Sequence, residues 1–345
     1  NVALYVALFP QLIAGPIVRY ETVAGEINDR QETLDEFVKG FRRFIVGLAK
    51  KMILSNSIGL LADQAFNAAD PSGLSAAMAW LGALAYAFQI YFDFGGYSDM
   101  AIGLGLMFGF HFDENFIYPY ISRTVSEFWN RWHISLSSWF RDYLFYPVSR
   151  KAVPLGKKVK QRWGKAAGRL TSTVIALAVV WFSTGVWHGA SWGYILWGVY
   201  YGTLLISSLI FQPVFKKWVK KLKINIGSPW FITFQILRTM FLVLLGYVLF
   251  RSETLGQALD YYGAMFGLTA TVAVDAAAVN AFKNHISALL LCAVGSTPFA
   301  GWMQRKLGPV GNSEMVKNIV CLVLLILSAA YIVSSSYNPF IYFAF

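Results

Sequence analysis

From Trp230 to Phe250 the chain carries a single charge, Arg238, and comparable apolar runs recur along its length. A helical run of about 20 such residues matches the hydrocarbon thickness of a bilayer. Inside lipid every backbone N–H and C=O must be bonded within the protein, which leaves helices or closed barrels. A barrel would show short alternating segments instead of long uniform ones. The other spans fall at Leu74–Phe92, Leu170–Trp187, Trp192–Phe211, His285–Met303 and Asn318–Ser334. Hydrophobic residues make up 57% of the chain and charged ones 14%, against roughly 25% charged in soluble domains. The reading is an all-α, polytopic transmembrane protein in the plasma or inner membrane.

Charge supplies the orientation. The net +11 comes mainly from clusters: eight basic residues and no acidic one in Arg150–Arg169, then five lysines in Lys216–Lys223. Nucleic-acid binding is a poor account of basic clusters in so apolar a chain. The positive-inside rule makes both clusters cytoplasmic loops, a reading preferred over attraction of an anionic donor through charge. Counting spans from there puts residues 338–345 on the extracytoplasmic side. Cys292 and Cys321 lie in apolar runs, so neither a disulfide nor a metal site is inferred from them. The chain begins at Asn1 without a methionine, and further helices are expected upstream.

Several stretches do not read as plain spans. Asn1–Tyr20 is broken by Pro10 and Gly15-Pro16 and reads as re-entrant or kinked. Phe37–Phe66 carries Lys39, Arg42, Arg43, Lys50 and Lys51, which suits a helix that snorkels at its ends or lies at the interface. Asp70–Gly73 is a turn. Asp93-Phe94-Gly95-Gly96-Tyr97-Ser98-Asp99 suggests a helix break lining a polar cavity, with a helix cap or a buried ion pair as the plainer readings of its carboxylates. Gly103, Gly105 and Gly109 read as helix-packing glycines. Residues 126–147 mix Trp and Tyr with Arg131, His133, Arg141 and Asp142, so they belong at the interface or in a cavity wall. Arg251–Lys283 reads as a mixed loop. His111 and His285 lie outside any such cluster and read as structural.

Val180–Trp197 holds no Asp, Glu, Lys or Arg and a single histidine, His188, among small and aromatic neighbours. On a helix Thr184 and Trp192 share its face. An intramembrane histidine is a functional candidate by default; the plain alternative is a single interhelical hydrogen bond.

Four blocks in this order resemble the membrane-bound O-acyltransferase family, in its bacterial polysaccharide-acetylating branch. They are F-P-Q-L-I-A-G-P-I-V-R-Y at Phe9–Tyr20, G-Y-S-D-M-A-I-G-L-G at Gly96–Gly105, N-R-W-H-I-S-L-S-S-W-F-R-D-Y-L at Asn130–Leu144 and W-H-G-A-S-W at Trp187–Trp192. The resemblance covers nearly the whole chain and implies one domain over residues 1–345, with re-entrant or interfacial helices around a central funnel or tunnel. It implies that His188 is the catalytic histidine and that His133 occupies the second catalytic position. Trp129, Asn130, Arg141, Asp142, Trp187, Ser191, Trp192 and Asp99 are then expected to line the substrate path. For Arg141 and Asp142 a structural ion pair is the preferred reading over an orienting role.

The implied reaction needs no bound cofactor. Acetyl-CoA or an acylated carrier protein delivers a thioester from the cytoplasm, and an extracytoplasmic polysaccharide accepts the acyl group, directly or through a secreted acetyltransferase partner. A histidine of ordinary pKa about 6.5 suits removal of the hydroxyl proton as attack proceeds. His133, Ser191, a tryptophan N–H or helix-end amides are the candidate oxyanion donors. D-alanylation of teichoic acid from a carrier protein is the alternative within the family. An intramembrane Asp/His relay in a transporter is the alternative outside it. Finally, Phe340-x-Tyr342-x-x-Phe345 resembles a short C-terminal motif of the partner peptide in teichoic-acid D-alanylation. That resemblance makes Tyr342 a candidate acyl relay, since tyrosine is an accepted covalent nucleophile; an aromatic interface anchor is the plain reading.

Overall fold

The computed structural model describes residues 1–11, 15–269 and 272–334. Its α-helices are α1 (Val2–Ala7), α2 (Tyr20–Asn28), α3 (Leu34–Ala49), α4 (Asn56–Phe66), α5 (Ala76–Met107), α6 (Val125–Trp129), α7 (Ile134–Phe140) and α8 (Tyr146–His188). They continue with α9 (Trp192–Lys221), α10 (Pro229–Arg251), α11 (Leu255–Met265), α12 (Ala276–Gly295), α13 (Phe299–Lys306), α14 (Pro309–Asn312) and α15 (Glu314–Ser334). No strand occurs among the described residues; an isolated bridge pairs Phe116 with Trp132. Six helical runs, Leu34–Phe66, Ile134–His188, Trp192–Lys221, Pro229–Arg251, Ala276–Gly295 and Glu314–Ser334, are long and apolar enough to cross a bilayer. The protein is an all-α, multi-pass membrane protein.

The chain forms two compact units. Residues 1–119, 131–135 and 263 onward make the first, and residues 120–130 and 136–262 the second.

In the first unit α3 and α4 are joined through a π-helical turn, Lys50–Ser55, and the joined helix packs along α5. The expected break at Asp93–Asp99 does not occur, because α5 runs through it without interruption. Its glycines serve close approach instead. A Cβ on Gly96 would lie 2.7 Å from the Gly47 carbonyl oxygen, and one on Gly103 2.6 Å from that of Gly40. Small residues let two backbones meet in this way. Gly105 likewise faces the Phe112 ring, whereas Gly109 adopts φ +74° just past the helix end.

The same interface explains the charges in Phe37–Phe66. Lys50 and Arg43 both pair with Asp99, at 2.5 and 2.8 Å, and Arg43 also reaches Glu114. Lys51 pairs with Asp93, and both are nearly fully buried. These lysines do not snorkel. The wide π turn carries two consecutive lysines to carboxylates six positions apart on α5. At the other face of α3, Arg42 holds α15 through Glu314 and Asn318.

The second unit corrects the basic loop. Gly164 takes φ +87° and ψ 171° inside α8, a setting open to glycine, and divides it into two arms. The first arm returns against the second closely enough that a Cβ on Gly156 would lie 2.8 Å from the Gly168 carbonyl oxygen. Arg150–Arg169 is therefore a helical hairpin with a one-glycine turn. The second arm runs antiparallel to α9: Gly185 lies against Tyr194 and Ile195, and Gly202 against Trp181. That direction leaves the Lys216–Lys221 end of α9 and the Lys165–Arg169 end of α8 at the same end of the pair, opposite His188. Every charged side chain between Asp142 and Glu253 is basic, so this end carries unopposed positive charge.

Arg251–Lys283 is also more ordered than a loop. It contains α11, whose buried Ala258, Tyr261, Ala264 and Met265 recur at helical spacing.

Candidate active site

Val180–Trp197 is not one helix. α8 stops at His188, Gly189 takes φ +146°, and the Ser191 Oγ accepts the Gly193 N–H to cap α9. Glycine leaves the helix freely and a serine starts the next one. Thr184 therefore does lie one turn below His188, but Trp192 belongs to α9 and is 70% exposed. Ser191 is a capping residue.

The four histidines sit in four different settings. His111 lies between Glu26 and Glu36, at 2.7 and 3.1 Å. His285 bonds through Nδ1 to the Ala281 carbonyl oxygen, 3.0 Å away. His133 bonds through Nδ1 to Asn115 Oδ1 at 3.2 Å. His188 has neither a hydrogen bond nor an ion pair among the described residues. Four aromatic rings border it instead: Trp187 at 4.8 Å between centroids, Phe250 at 5.0 Å, Trp197 at 5.1 Å and Tyr194 at 6.1 Å. No carboxylate bonds to it among the described residues, so nothing holds it as an imidazolium and a ring nitrogen keeps a lone pair for a proton.

Behind His188 the aromatic cluster deepens. Trp129, from the short helix α6, packs edge-on against Trp181, Tyr201 and Trp197 at 4.7, 4.9 and 5.6 Å. The second unit thus gathers Trp129, from the aromatic stretch 126–147, with Trp187 and His188 of the W-H-G-A-S-W block. Trp197, Tyr201 and Phe250 had no local signal that marked them: an aromatic residue on an apolar helix reads as core.

His133 belongs to the first unit and is positioned in another way. Its φ of +46° is uncommon for a side chain of this size, and the surrounding bonds hold it there. The Ile134 N–H donates to the Asn115 carbonyl at 3.0 Å, and the Ser135 N–H and O–H both donate to Asn115 Oδ1. Phe94 packs edge-on against the imidazole at 4.7 Å. Oδ1 can only accept, so in this bond His133 Nδ1 carries a proton, and in the neutral ring Nε2 then has the lone pair and can accept from a hydroxyl. Asn115, fully buried, is the residue that sequence reasoning missed.

The remaining expected residues are placed as follows. Asp99 is bound by Arg43 and Lys50, and Asp93 by Lys51, so the carboxylates on which an intramembrane relay would rest are engaged in ion pairs. Arg141 Nε lies 3.0 Å from Asp142 on a π-helical turn, the ion-pair reading of these two. Asn130 is exposed and ends α6. Tyr342 lies outside the described residues. Among the described residues no group of His, Cys, Asp and Glu is arranged to hold a metal.

Residues 1–250 match the model of the membrane-bound O-acyltransferase family. A Pseudomonas syringae pv. tomato protein named "Probable alginate O-acetylase" is 45% identical over 76% of this chain and 45% of its own length. One of the same name from Azotobacter vinelandii is 36% identical over 99% of this chain and 69% of its own. A Helicobacter pylori "Peptidoglycan O-acetyltransferase" is 34% identical over 77% of this chain and 46% of its own. The chain spans about half the length of several curated relatives it matches. On the family match and on these identities, the chain belongs to the membrane-bound O-acyltransferase family.

Proposed function

We propose that the chain transfers an acetyl group from a cytoplasmic thioester, acetyl-CoA or an acylated carrier protein, to a hydroxyl of an extracytoplasmic polysaccharide, in the inner membrane. The observation that carries the reading is His188: the one histidine without a polar partner among the described residues, half-buried in an aromatic surround. Relatives named for O-acetylation of alginate and of peptidoglycan support an acetyl group and a polysaccharide acceptor.

The step is a single displacement. His188 takes the hydroxyl proton as the oxygen forms its bond to the acyl carbon; the carbonyl becomes an oxyanion. The carbon–sulfur bond then breaks, the carbonyl reforms, and the proton on His188 passes to the departing thiolate. Ester and thiol are the products. His133, whose Nε2 is an acceptor, orients a hydroxyl. The basic end of α8 and α9 suits the phosphates of CoA or an acidic carrier surface, and is best read as electrostatic capture.

The test is thiol release and label transfer by purified protein in liposomes. Acetyl-CoA or the acylated carrier is supplied on the side of the basic hairpin and polysaccharide on the other. Polysaccharide-dependent thiol release with label on the carbohydrate is expected; flux of any solute without thiol release is the transporter outcome and contradicts the reading.

A further inference from the structure

Two indole N–H groups in the aromatic cluster, those of Trp129 and Trp197, are buried and have no hydrogen-bond partner among the described residues. An indole nitrogen only donates, so it can be satisfied only by an acceptor. Buried donors without one are rare in folded proteins and unfavourable. The rings around Trp197 are those of Trp129, Trp181, Tyr201, His188 and Phe250. The side chains of Trp129, Trp181 and Phe250 contribute no oxygen or lone-pair nitrogen, and the Tyr201 hydroxyl, which donates to the Val243 carbonyl, accepts from neither indole. The imidazole of His188 makes no hydrogen bond with either indole. An acceptor brought by a bound substrate would complete the set.

Trp197 is the better placed of the two. Its ring stands edge to face with His188, 5.1 Å between centroids, whereas Trp129 borders Trp197 and not His188. It is also held rigidly. The Ser191 cap fixes the start of α9, and Gly198, the next residue, lies directly against the Trp181 carbonyl oxygen, so the α8–α9 spacing leaves no slack. A preorganised donor in a dry, aromatic setting is what a developing negative charge requires.

We propose that the Trp197 indole N–H donates to the acyl carbonyl oxygen and stabilises the oxyanion formed when the acceptor oxygen attacks. This deepens the acyl-transfer reading and rests on it. Trp197 takes no proton and forms no covalent bond. The hydroxyl proton goes to His188, the new bond is oxygen to acyl carbon, and the thiolate leaves with the proton from His188.

The experiment compares Trp197→Phe, and a form with benzothienylalanine at position 197, with the unaltered protein in liposomes. Benzothienylalanine keeps the two-ring shape and replaces the N–H by sulfur, so it answers the question even if the smaller phenylalanine loosens the fold. Turnover is measured per folded molecule, with donor KM and thermal midpoint recorded alongside. On this proposal kcat falls on the order of 10²-fold with both replacements, the loss expected for one oxyanion donor. KM stays within about threefold, because the interaction strengthens only in the transition state. The benzothienyl form melts no lower than the parent, since an unpaired donor has been removed. A kcat within threefold of the parent for the benzothienyl form overturns the proposal, as does a raised KM with kcat unchanged, which marks a ground-state contact. His188→Ala, run in parallel, separates the two claims. If it retains turnover, the role of His188 as base fails; if the unaltered protein releases no thiol with polysaccharide present, the acyl-transfer reading itself fails; if His188→Ala is inactive while the position-197 forms turn over normally, only the role of Trp197 is lost.

Discussion

At the residue scale the chemistry of an imidazole here depends on what its two nitrogens meet. His111 meets two carboxylates, and its hydrogen bond to Glu26 raises its pKa above the ordinary 6.5, with burial opposing this and Glu36 adding to it. A folded-state pKa above the unfolded one stabilises fully below about pH 6.5 and is lost as pH rises through the folded value. The ring is 56% exposed, so solvent screens much of the effect. The thermal midpoint of the parent should exceed that of His111→Gln by about 1–2 °C near pH 6 and by nothing near pH 9, read by melting both proteins across that range. A constant difference at both pH values would mean that charge plays no part. His133 meets an amide and is fixed as an acceptor; His188 meets only rings. His188 was legible as a candidate because it is the one histidine in Val180–Trp197, a stretch without Asp, Glu, Lys or Arg. The tautomer of His133 was not, since Asn115 lies 18 positions away with no motif to join them.

At the element scale, contiguous length is legible and close pairing is not. A bilayer demands its apolar residues in one run, so the spans from Leu170 to Phe250 could be read directly. The hairpin at Gly164 could not, because a single glycine among eight basic residues looks like any polar loop. The Lys51–Asp93 pair joins positions 42 apart, and nothing in Phe37–Phe66 says which lysine turns inward. That pair gives a direct test of whether these carboxylates work as structure or as a relay. Asp93→Leu alone should be strongly destabilising, by about 3–5 kcal/mol, because a buried charge loses its partner. Lys51→Met combined with Asp93→Leu should recover most of that stability and keep acyl transfer near the parental rate. A stable double variant without activity would instead make the pair part of the chemistry.

At the scale of the whole molecule, the distribution of charge gives the protein a direction. From Asp142 to Glu253 no acidic side chain interrupts the basic ones, and those of Lys165–Arg169 and Lys216–Lys221 lie at the end of α8 and α9 remote from His188. Cysteines placed at Lys158 or Lys165 should label from the cytoplasmic side only. Replacing Lys157, Lys158, Lys160 and Lys165 by glutamine should raise donor KM several-fold at low salt, with kcat kept and the difference shrinking as salt rises. Labelling from outside in intact cells would reverse the topology and the path assigned to donor and acceptor. The central claim is that His188 is the base for acyl transfer. Its most direct test is the rate of label transfer from thioester to polysaccharide by His188→Ala, set beside His133→Ala, each per folded and inserted molecule. The account predicts a loss of at least about 10³-fold for His188→Ala, toward the upper end for a general base, and a clearly smaller loss for His133→Ala. Turnover by folded His188→Ala within tenfold of the parent would contradict it.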